Sequence, residues 1–339
     1  MTTTEPRPET WVVPAPASGP PRVPAPRRED DAPAPSGQAV PAPGPTTRGA
    51  RAAALARGCR PRQMTKNVLV LTAPAMAGAG LLEPVVLLGA AVAFVTFCAA
   101  SAAVYLANDL RDVEADRRHP VKRFRPIASG AVTPGTAWRA AVSLVVGALA
   151  LALLWSPALA VVLAGYLAVQ VAYTGGLKNR PGVDLLVVAS GFVLRVVAGG
   201  VAAGVELSVP FLTVVGFASL FMVAGKRYSE LATLGSTGST RPVLRGYSLR
   251  RLRATWQASA AVALGGYAVA AAGLGPLGTV AGTFALLSVP PFVAGIARYA
   301  THVRSAAAGC PEAVVFGDRT LQVLGLLWLV TVVPALAAA

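Results

Sequence analysis

The most regular feature of the chain is a series of long apolar runs separated by polar segments. A helix that crosses a bilayer core needs about 17–25 consecutive apolar residues, and most of the runs reach that length. The first run is short and contains Pro74, which predicts a kink or a helix that begins below the membrane interface. The pattern predicts nine spans, at 66–81, 84–107, 133–155, 157–176, 183–204, 208–225, 254–273, 276–298 and 318–338.

The polar segments between these runs form two unequal sets. The side opposite the N-terminus holds only short connections, whose charges are Glu83 and Glu206, and none of the 30 Lys and Arg residues. Basic loops of membrane proteins remain on the cytoplasmic side. We therefore expect the N-terminus and four longer loops to be cytoplasmic, namely those near 108–132, 177–182, 226–253 and 299–317.

Composition supports a membrane protein. Of the 339 residues 54% are hydrophobic and 13% are charged, whereas a soluble domain carries about a quarter charged residues. The net charge of +15 lies in the loops and forms no continuous basic face, so we expect no nucleic-acid partner. The three cysteines show neither a disulfide framework nor zinc spacing. The predicted fold class is an all-α integral membrane protein of the cell membrane.

The N-terminal segment has a different composition. Residues 1–59 are rich in Pro and Ala and poor in aromatic and branched apolar side chains. Such a segment buries too little surface to offset the entropy lost on ordering. We predict a disordered cytoplasmic tail at 1–59, followed by a transmembrane catalytic domain at 60–339.

The stretch NDLRDVEADRRHPVKRFRPIASG, residues 108–130, follows the second predicted span. On a helix that advances by about 100° per residue, Asn108, Asp109, Asp112 and Asp116 share one face. Mg²⁺ binds one or two carboxylates and completes its shell with water and phosphate oxygens, so this stripe predicts a magnesium site. The alternative is a solvated helix end whose acids pair with neighbouring basic residues, Arg117, Arg118 and Lys122.

A basic cluster comes directly after the acidic stripe. Lys122, Arg123 and Arg125 lie within four residues of one another. A metal site beside cations suits a substrate with two phosphate groups, one held by the metal and one by the basic side chains. Basic residues next to a membrane also bind anionic lipid headgroups, and both interpretations stay open here.

The pattern Asn-Asp-x-x-Asp-x-x-x-Asp resembles the first motif of the UbiA superfamily of intramembrane prenyltransferases. The resemblance extends from about residue 60 to the end and includes RPRQMTKN, residues 60–67. It implies a bundle of nine transmembrane helices with cytoplasmic active-site loops, in which the motif holds Mg²⁺ against a diphosphate.

The second loop departs from the common pattern of that superfamily. Members that use prenyl diphosphates carry a second aspartate-rich motif, whereas this chain has YTGGLKNRPGVD, residues 173–184, with one carboxylate and an added Lys178. Together with GFVLRVVAGG (191–200) and SLFMVAGKRYSEL (219–231), it resembles a branch found in mycobacteria and related actinobacteria. The resemblance implies transfer of 5-phosphoribose from phosphoribosyl pyrophosphate to decaprenyl phosphate, a polyprenyl phosphate lipid, in cell-wall arabinan synthesis.

The resemblance implies roles for particular residues. Asp109, Asp112 and Lys178 are the expected catalytic residues. The attacking lipid phosphate is already an anion, so the reaction requires no general base. His119 and His302 are accordingly interpreted as surface residues. Arg195 has an alternative structural role, paired with Asp184 or a backbone carbonyl, and Lys226 and Arg227 are alternative headgroup ligands. The expected metal ligands are Asn108, Asp109, Asp112 and Asp116, and the expected substrate-binding residues are Gln63, Lys66, Asn67, Lys122, Arg123, Arg125, Tyr173, Asp184, Arg195, Lys226 and Arg227.

Two other functions remain open at this point. One is a prenyltransferase of the same superfamily that joins a prenyl diphosphate to an aromatic acceptor. The other is a transporter of anionic metabolites, although transporters place binding charges near the midplane and these charges lie at one face. The sequence leaves the oligomeric state, including a homo-oligomer, undecided.

Overall fold

The computed structural model describes residues 47–235 and 242–339, and every regular element in these ranges is a helix. This confirms the all-α prediction; residues 1–46 of the predicted tail lie outside the described part. The helices are α1 (Arg48–Gly58), α2 (Pro84–Arg111), α3 (Val113–Arg118), α4 (Pro134–Trp155), α5 (Pro157–Gly175), α6 (Val183–Ala203), α7 (Val209–Leu234), α8 (Leu249–Ala272), α9 (Val280–Arg304), α10 (Pro311–Gly317) and α11 (Arg319–Ala337). Short 3₁₀ helices occupy Pro61–Thr72, Pro74–Leu82, Lys122–Phe124, Leu177–Asn179 and Pro242–Gly246.

Seven helices within the described ranges are long and apolar enough to cross a membrane, which makes the chain a multi-pass membrane protein. They are α2, α4, α5, α6, α7, α9 and α11. The predicted span at 254–273 corresponds to α8, which is long enough but less apolar than these seven helices. The predicted number of nine spans therefore stays a prediction.

The first predicted span, 66–81, is broken as its proline indicated. One 3₁₀ helix ends at Thr72, and a second begins at Pro74. Gly78 interrupts the second with φ 57°, a conformation that side chains disfavour, and a Cβ at this position would lie 2.3 Å from the Leu336 carbonyl oxygen. The segment therefore consists of two short 3₁₀ helices that meet at Pro74.

Helix α1 corrects the predicted extent of the tail. Residues 48–58 form a helix that begins with a hydrogen bond from the Ala50 N–H to the Thr47 side chain. Its buried Ala54 and Gly58 pack on α2, where a Cβ on Gly58 would lie 3.1 Å from Leu106. The helix was not predicted because residues 1–59 are poor in large apolar side chains. Its small residues nevertheless allow it to pack closely on α2.

Most of the long helices begin at a polar cap. Thr133, Ser156, Ser208 and Thr279 each accept a hydrogen bond from a backbone N–H in the first helical turn. Such caps satisfy amide groups that lack partners at a helix start. Proline follows directly in α4 and α5, where its fixed φ suits the first helical position. These caps and prolines lie at the edges of the apolar runs, so the observed helices begin within a few residues of the predicted spans.

Small residues let the helices approach closely in the core. Gly89 of α2 lies against the Ala202 carbonyl of α6, and a Cβ added to Gly89 would be 2.1 Å from that carbonyl oxygen. Gly199 of α6 lies against the Val70 carbonyl, and a Cβ added to Gly199 would be 1.8 Å from that oxygen. The first contact joins α2 to α6, and the second positions the 61–72 segment against α6.

We expect Gly199→Ala to destabilise the protein by about 1–3 kcal/mol, because the added methyl group overlaps backbone that cannot move easily. The matched control is Gly165→Ala in α5, where no atom lies within 4 Å of the new Cβ. Thermal unfolding of the purified variants in detergent measures both. Equal unfolding temperatures for the two variants would contradict this close contact.

Candidate functional site

Two buried carboxylates of the acidic stripe meet two arginines where α2 ends. Asp109 Oδ1 lies 2.5 Å from Arg60 Nη2 and 3.1 Å from Arg125 Nη1. The same Arg125 nitrogen lies 2.6 Å from Asp116 Oδ2. The helical hydrogen bonds continue from Asn108 through Asp112 to Asp116, although Asp112 itself has non-helical angles. Asp109 and Asp116 therefore lie on the same face, as predicted, and both contact the Arg125 guanidinium group.

The other two residues of the stripe lie differently. Asn108 Oδ1 accepts a hydrogen bond from Thr174 Oγ1 at 3.1 Å, and an Arg111 guanidinium N–H donates to the Thr174 carbonyl. Asp112 is exposed. The Asn108–Thr174 contact places the second motif, which begins at Tyr173, directly beside the first.

The oxygen-rich donor set fits a hard divalent cation in type. Carboxylate and amide oxygens are the protein ligands that Mg²⁺ prefers, and it needs only one or two of them. Within the described ranges, no three His, Cys, Asp or Glu side chains are gathered into a ready metal site. Arg60 and Arg125 instead neutralise the buried acids, so the cationic charge that the stripe requires is here supplied by guanidinium groups.

The second motif continues from α5 into a short turn. Helix α5 ends at Gly175, and Gly176 has φ 153°, which opens the chain into the 3₁₀ turn that carries Lys178. Tyr173 and Lys178 are half-buried, and Tyr173 is close enough to Arg227 to interact with it electrostatically. The two motifs and the end of α7 thus converge at one end of the bundle.

A further cationic group lies in the middle of the first 3₁₀ helix. Lys66 Nζ forms an ion pair of 3.0 Å with Glu312 Oε1 of α10. Burial raises the pKa of Glu312, but its own backbone N–H, Lys66 and the charge of Lys226 outweigh this effect, so the net pKa is lowered. Gln63 is half-buried one turn earlier. The predicted residues Lys66 and Lys226 therefore share an acidic neighbour.

The loop between α3 and α4 holds the remaining basic residues. Lys122 is half-buried, whereas Arg123 is exposed and its guanidinium lies 4.9 Å from the centre of the Phe124 ring. His119 Nδ1 accepts hydrogen bonds from the backbone N–H groups of Val121 and Lys122. His119 therefore shapes the loop, and Arg125 alone of the basic cluster contacts the acidic pair within the described ranges.

Comparison with known proteins assigns the family. Residues 68–309 match the model of the UbiA prenyltransferase family. The chain belongs to the UbiA prenyltransferase family. A UbiA homolog from Archaeoglobus fulgidus, in a structure bound to GPP and Mg²⁺, superposes with a TM-score of 0.63 at 16% identity and covers 84% of this chain and all of its own. The fold is therefore that of a UbiA protein.

Closer relatives exist within this family. Decaprenyl-phosphate phosphoribosyltransferase of Corynebacterium glutamicum is 44% identical over 82% of this chain and 85% of its own length. The protein of the same name from Mycobacterium tuberculosis is 45% identical over 84% of this chain and 95% of its own length. The similarity thus covers nearly the whole length of these relatives.

Two predicted substrate ligands of this UbiA protein are buried in an ion pair. Arg227 Nε donates to Asp184 Oδ2 at 3.0 Å, and both side chains are almost fully buried. Tyr247 donates a hydrogen bond to the other carboxylate oxygen and accepts one from the Gly182 N–H. Burial and the neighbouring carboxylate raise the pKa of Tyr247, so its hydroxyl remains a donor. The structure thus gives Asp184 and Arg227 protein partners where the sequence predicted substrate contacts.

Asn67 and Arg195 form a second buried network, which also departs from the predicted phosphate contacts. Arg195 donates to Asn67 Oδ1 at 2.8 Å, to the Gly191 carbonyl at 2.6 Å and to Tyr166 OH at 3.1 Å. Asn67 has no exposed surface. The alternative role of Arg195 as a backbone-carbonyl partner is therefore confirmed, whereas its proposed pair with Asp184 is wrong because Asp184 binds Arg227.

His302 also corrects a sequence interpretation. It is partly buried, and its Nε2 lies 2.6 Å from Asp318 Oδ2, which also accepts from Arg298 at 2.8 Å. Asp318 caps the start of α11. His302 thus joins α9 to α11 and is not a free surface residue.

Sequence reasoning missed several side chains around the site. Arg60, Thr174, Tyr247 and Glu312 contact predicted site residues directly. Arg60 stands at the first position of the RPRQMTKN motif, which was the available signal. Glu312 is 246 residues from Lys66 in the numbering, and no local pattern connects them.

Proposed function

We propose that this UbiA protein transfers 5-phosphoribose from phosphoribosyl pyrophosphate to decaprenyl phosphate and releases diphosphate. The contact between Asn108 and Thr174, which joins the acidic stripe to the lysine-bearing second motif, is the observation that carries the proposal. The names of the relatives that are 44% and 45% identical support the same reaction.

We assign the donor diphosphate to the acidic stripe. Asn108, Asp109, Asp112 and Asp116 would hold Mg²⁺, which would compensate the charge of the leaving diphosphate. The oxygen donors of the stripe support this assignment, and so does its need for cationic charge, which Arg60 and Arg125 meet in this structure. Arg125 would remain beside the phosphates, because a guanidinium group pairs with phosphate as well as with carboxylate.

The second motif would supply fixed positive charge. Lys178 stands on the short turn that follows Thr174, whose hydroxyl contacts Asn108. The single carboxylate of this motif, Asp184, is already committed to Arg227 and Tyr247. A lysine therefore replaces the second metal site expected of prenyl diphosphate users, which favours a direct cation–phosphate contact. Preorganised charge of this kind stabilises a leaving group most strongly where water is excluded.

The attacking group needs little help from the protein. A lipid phosphate is anionic near neutral pH, so the reaction requires no general base. His119 and His302 hold the loop and Asp318 respectively, which is consistent with this requirement. The site would face the cytoplasm of the cell membrane, because the Lys and Arg residues of the loops lie at this end of the chain's spans.

The experiment is an assay of purified protein in lipid nanodiscs with Mg²⁺, phosphoribosyl pyrophosphate and decaprenyl phosphate. We expect a phosphoribosylated lipid whose formation stops when a chelator removes divalent ions. A parallel assay supplies a prenyl diphosphate and an aromatic acid. Prenylation of the aromatic acid without formation of the phosphoribosyl lipid would contradict the proposal and favour the alternative prenyltransferase.

A further inference from the structure

The position of Lys178 depends on the backbone that carries it. Within the described ranges, its half-buried side chain forms no hydrogen bond or ion pair. The 3₁₀ turn Leu177–Asn179 is closed by two backbone hydrogen bonds of its own, at 3.0 and 3.1 Å. These bonds shape the turn but do not attach it to another helix. The contacts that attach the turn to the bundle therefore decide where the ammonium group lies.

One such contact lies where the turn leads into α6. Tyr247, between α7 and α8, accepts a hydrogen bond from the Gly182 N–H at 2.5 Å and donates one to Asp184 in the first turn of α6. Gly182 has φ 83°, which glycine adopts readily and other residues do not. No atom lies within 4 Å of the position of a Cβ on Gly182. Side-chain packing at Gly182 thus cannot fix its backbone, and the Tyr247 hydroxyl supplies a fixed contact instead.

A second contact lies one residue away on both segments. Gly246 packs so closely on Pro181 that a Cβ added to Gly246 would lie 2.4 Å from Pro181 Cγ. Leu244, two residues earlier, has no exposed surface and belongs to a buried cluster with side chains of α6, α7, α8 and α9. The segment 242–247 is therefore anchored in the core, and it presents the Tyr247 hydroxyl from a rigid support.

We propose that Tyr247 is a positioning residue for phosphoribosyl transfer, because its hydroxyl fixes the end of the 177–182 turn and thereby the backbone of Lys178. The proposal rests on the proposed function, which gives Lys178 its role toward the donor phosphates. Lys178 then stands between two held points, the Thr174–Asn108 contact before it and the Tyr247–Gly182 contact after it. Tyr247 acts through the backbone of the turn and touches neither substrate.

The substitution Tyr247→Phe separates this role from the stability of the fold. It removes the hydroxyl and keeps the aromatic ring in place. Asp184 loses one donor but remains paired with Arg227 at 3.0 Å, so no buried charge is left without a partner. We therefore expect the unfolding temperature to fall by a few degrees at most, while the turn loses its contact with the segment 242–247.

Hydrogen–deuterium exchange of the full chain in lipid nanodiscs tests the contact without any substrate. We expect Tyr247→Phe to accelerate exchange of the Gly182 amide about tenfold, because this amide loses its acceptor. The matched control is Tyr299→Phe, which removes a buried hydroxyl that has no hydrogen-bond partner within the described residues and should leave this exchange unchanged. Equal exchange of the Gly182 amide in wild type and Tyr247→Phe would overturn the proposal.

Single-turnover transfer from labelled phosphoribosyl pyrophosphate tests the positioning, followed long enough to measure a slow Lys178→Gln variant. We expect Tyr247→Phe to lower the rate about tenfold, and to have no further effect when Lys178 is already Gln, because the hydroxyl acts through this lysine. Gly246→Ala, which forces the same segment away from Pro181, should follow the same pattern.

Two kinetic results would contradict the positioning role. Equal losses of rate in the wild-type and Lys178→Gln backgrounds would assign Tyr247 a general structural role, and an unchanged rate in Tyr247→Phe would remove it from the reaction. If the wild-type protein forms no phosphoribosyl lipid, the proposed function fails, and the exchange measurement still decides whether the hydroxyl fixes the turn.

Discussion

Asp112→Asn should reduce phosphoribosyl transfer by about 10²- to 10³-fold, the scale at which charge stabilisation of a leaving group is lost. Asp112 is exposed, and its side chain makes no hydrogen bond or ion pair within the described part of the chain. The substitution removes one negative charge and keeps the shape of the side chain. A loss of turnover would therefore report on donor and metal binding rather than on folding.

The measurement for this variant combines turnover with thermal unfolding. Glu114→Gln is the matched control, because Glu114 is exposed two residues later and its partner is the surface residue Arg117. We expect both variants to unfold at the wild-type temperature and only Asp112→Asn to lose turnover. Full activity of Asp112→Asn would remove this residue from the site.

Arg227→Met should destabilise the protein by about 3–5 kcal/mol, because it leaves a buried carboxylate without its cationic partner. Asp184 has no exposed surface, and Arg227 Nε lies 3.0 Å from it. Tyr247 would remain as a donor to Asp184, but a neutral hydroxyl compensates a buried charge only in part. Chemical or thermal unfolding in detergent measures the loss.

A double variant separates a structural role from substrate binding. Asp184→Asn together with Arg227→Met removes both charges, so it should recover part of the stability that Arg227→Met alone has lost. If Arg227 bound substrate instead, Arg227→Met would lose activity while the unfolding temperature stayed the same. That result would contradict the ion-pair account and restore the sequence prediction.

The sequence was sufficient to predict features that follow from local pattern. Apolar runs of sufficient length predicted the long helices, because the thickness of the membrane constrains each segment by itself. The face shared by Asp109 and Asp116 was predictable from helical periodicity, and Arg125 contacts both. Pro74 likewise marked the break in the first span.

Contacts between distant segments were not predictable in the same way. Arg195 was expected to be a functional or paired charge, but only the fold reveals that Asn67 and Tyr166 are its partners. Both Asn67 and Asp184 stand in motifs with predicted site residues, yet their side chains are fully buried and belong to internal polar networks. A motif specifies residue types, whereas burial depends on neighbours that pack from elsewhere in the chain.

The most direct measurement follows the phosphorus atoms of the donor. Phosphoribosyl pyrophosphate is labelled with ³²P either in the 5-phosphate or in the diphosphate, and each form is incubated with the protein, Mg²⁺ and decaprenyl phosphate. The account predicts that label from the 5-phosphate enters the lipid extract, whereas label from the diphosphate remains in the aqueous phase. Diphosphate label in the lipid, or no lipid label from either donor, would contradict it.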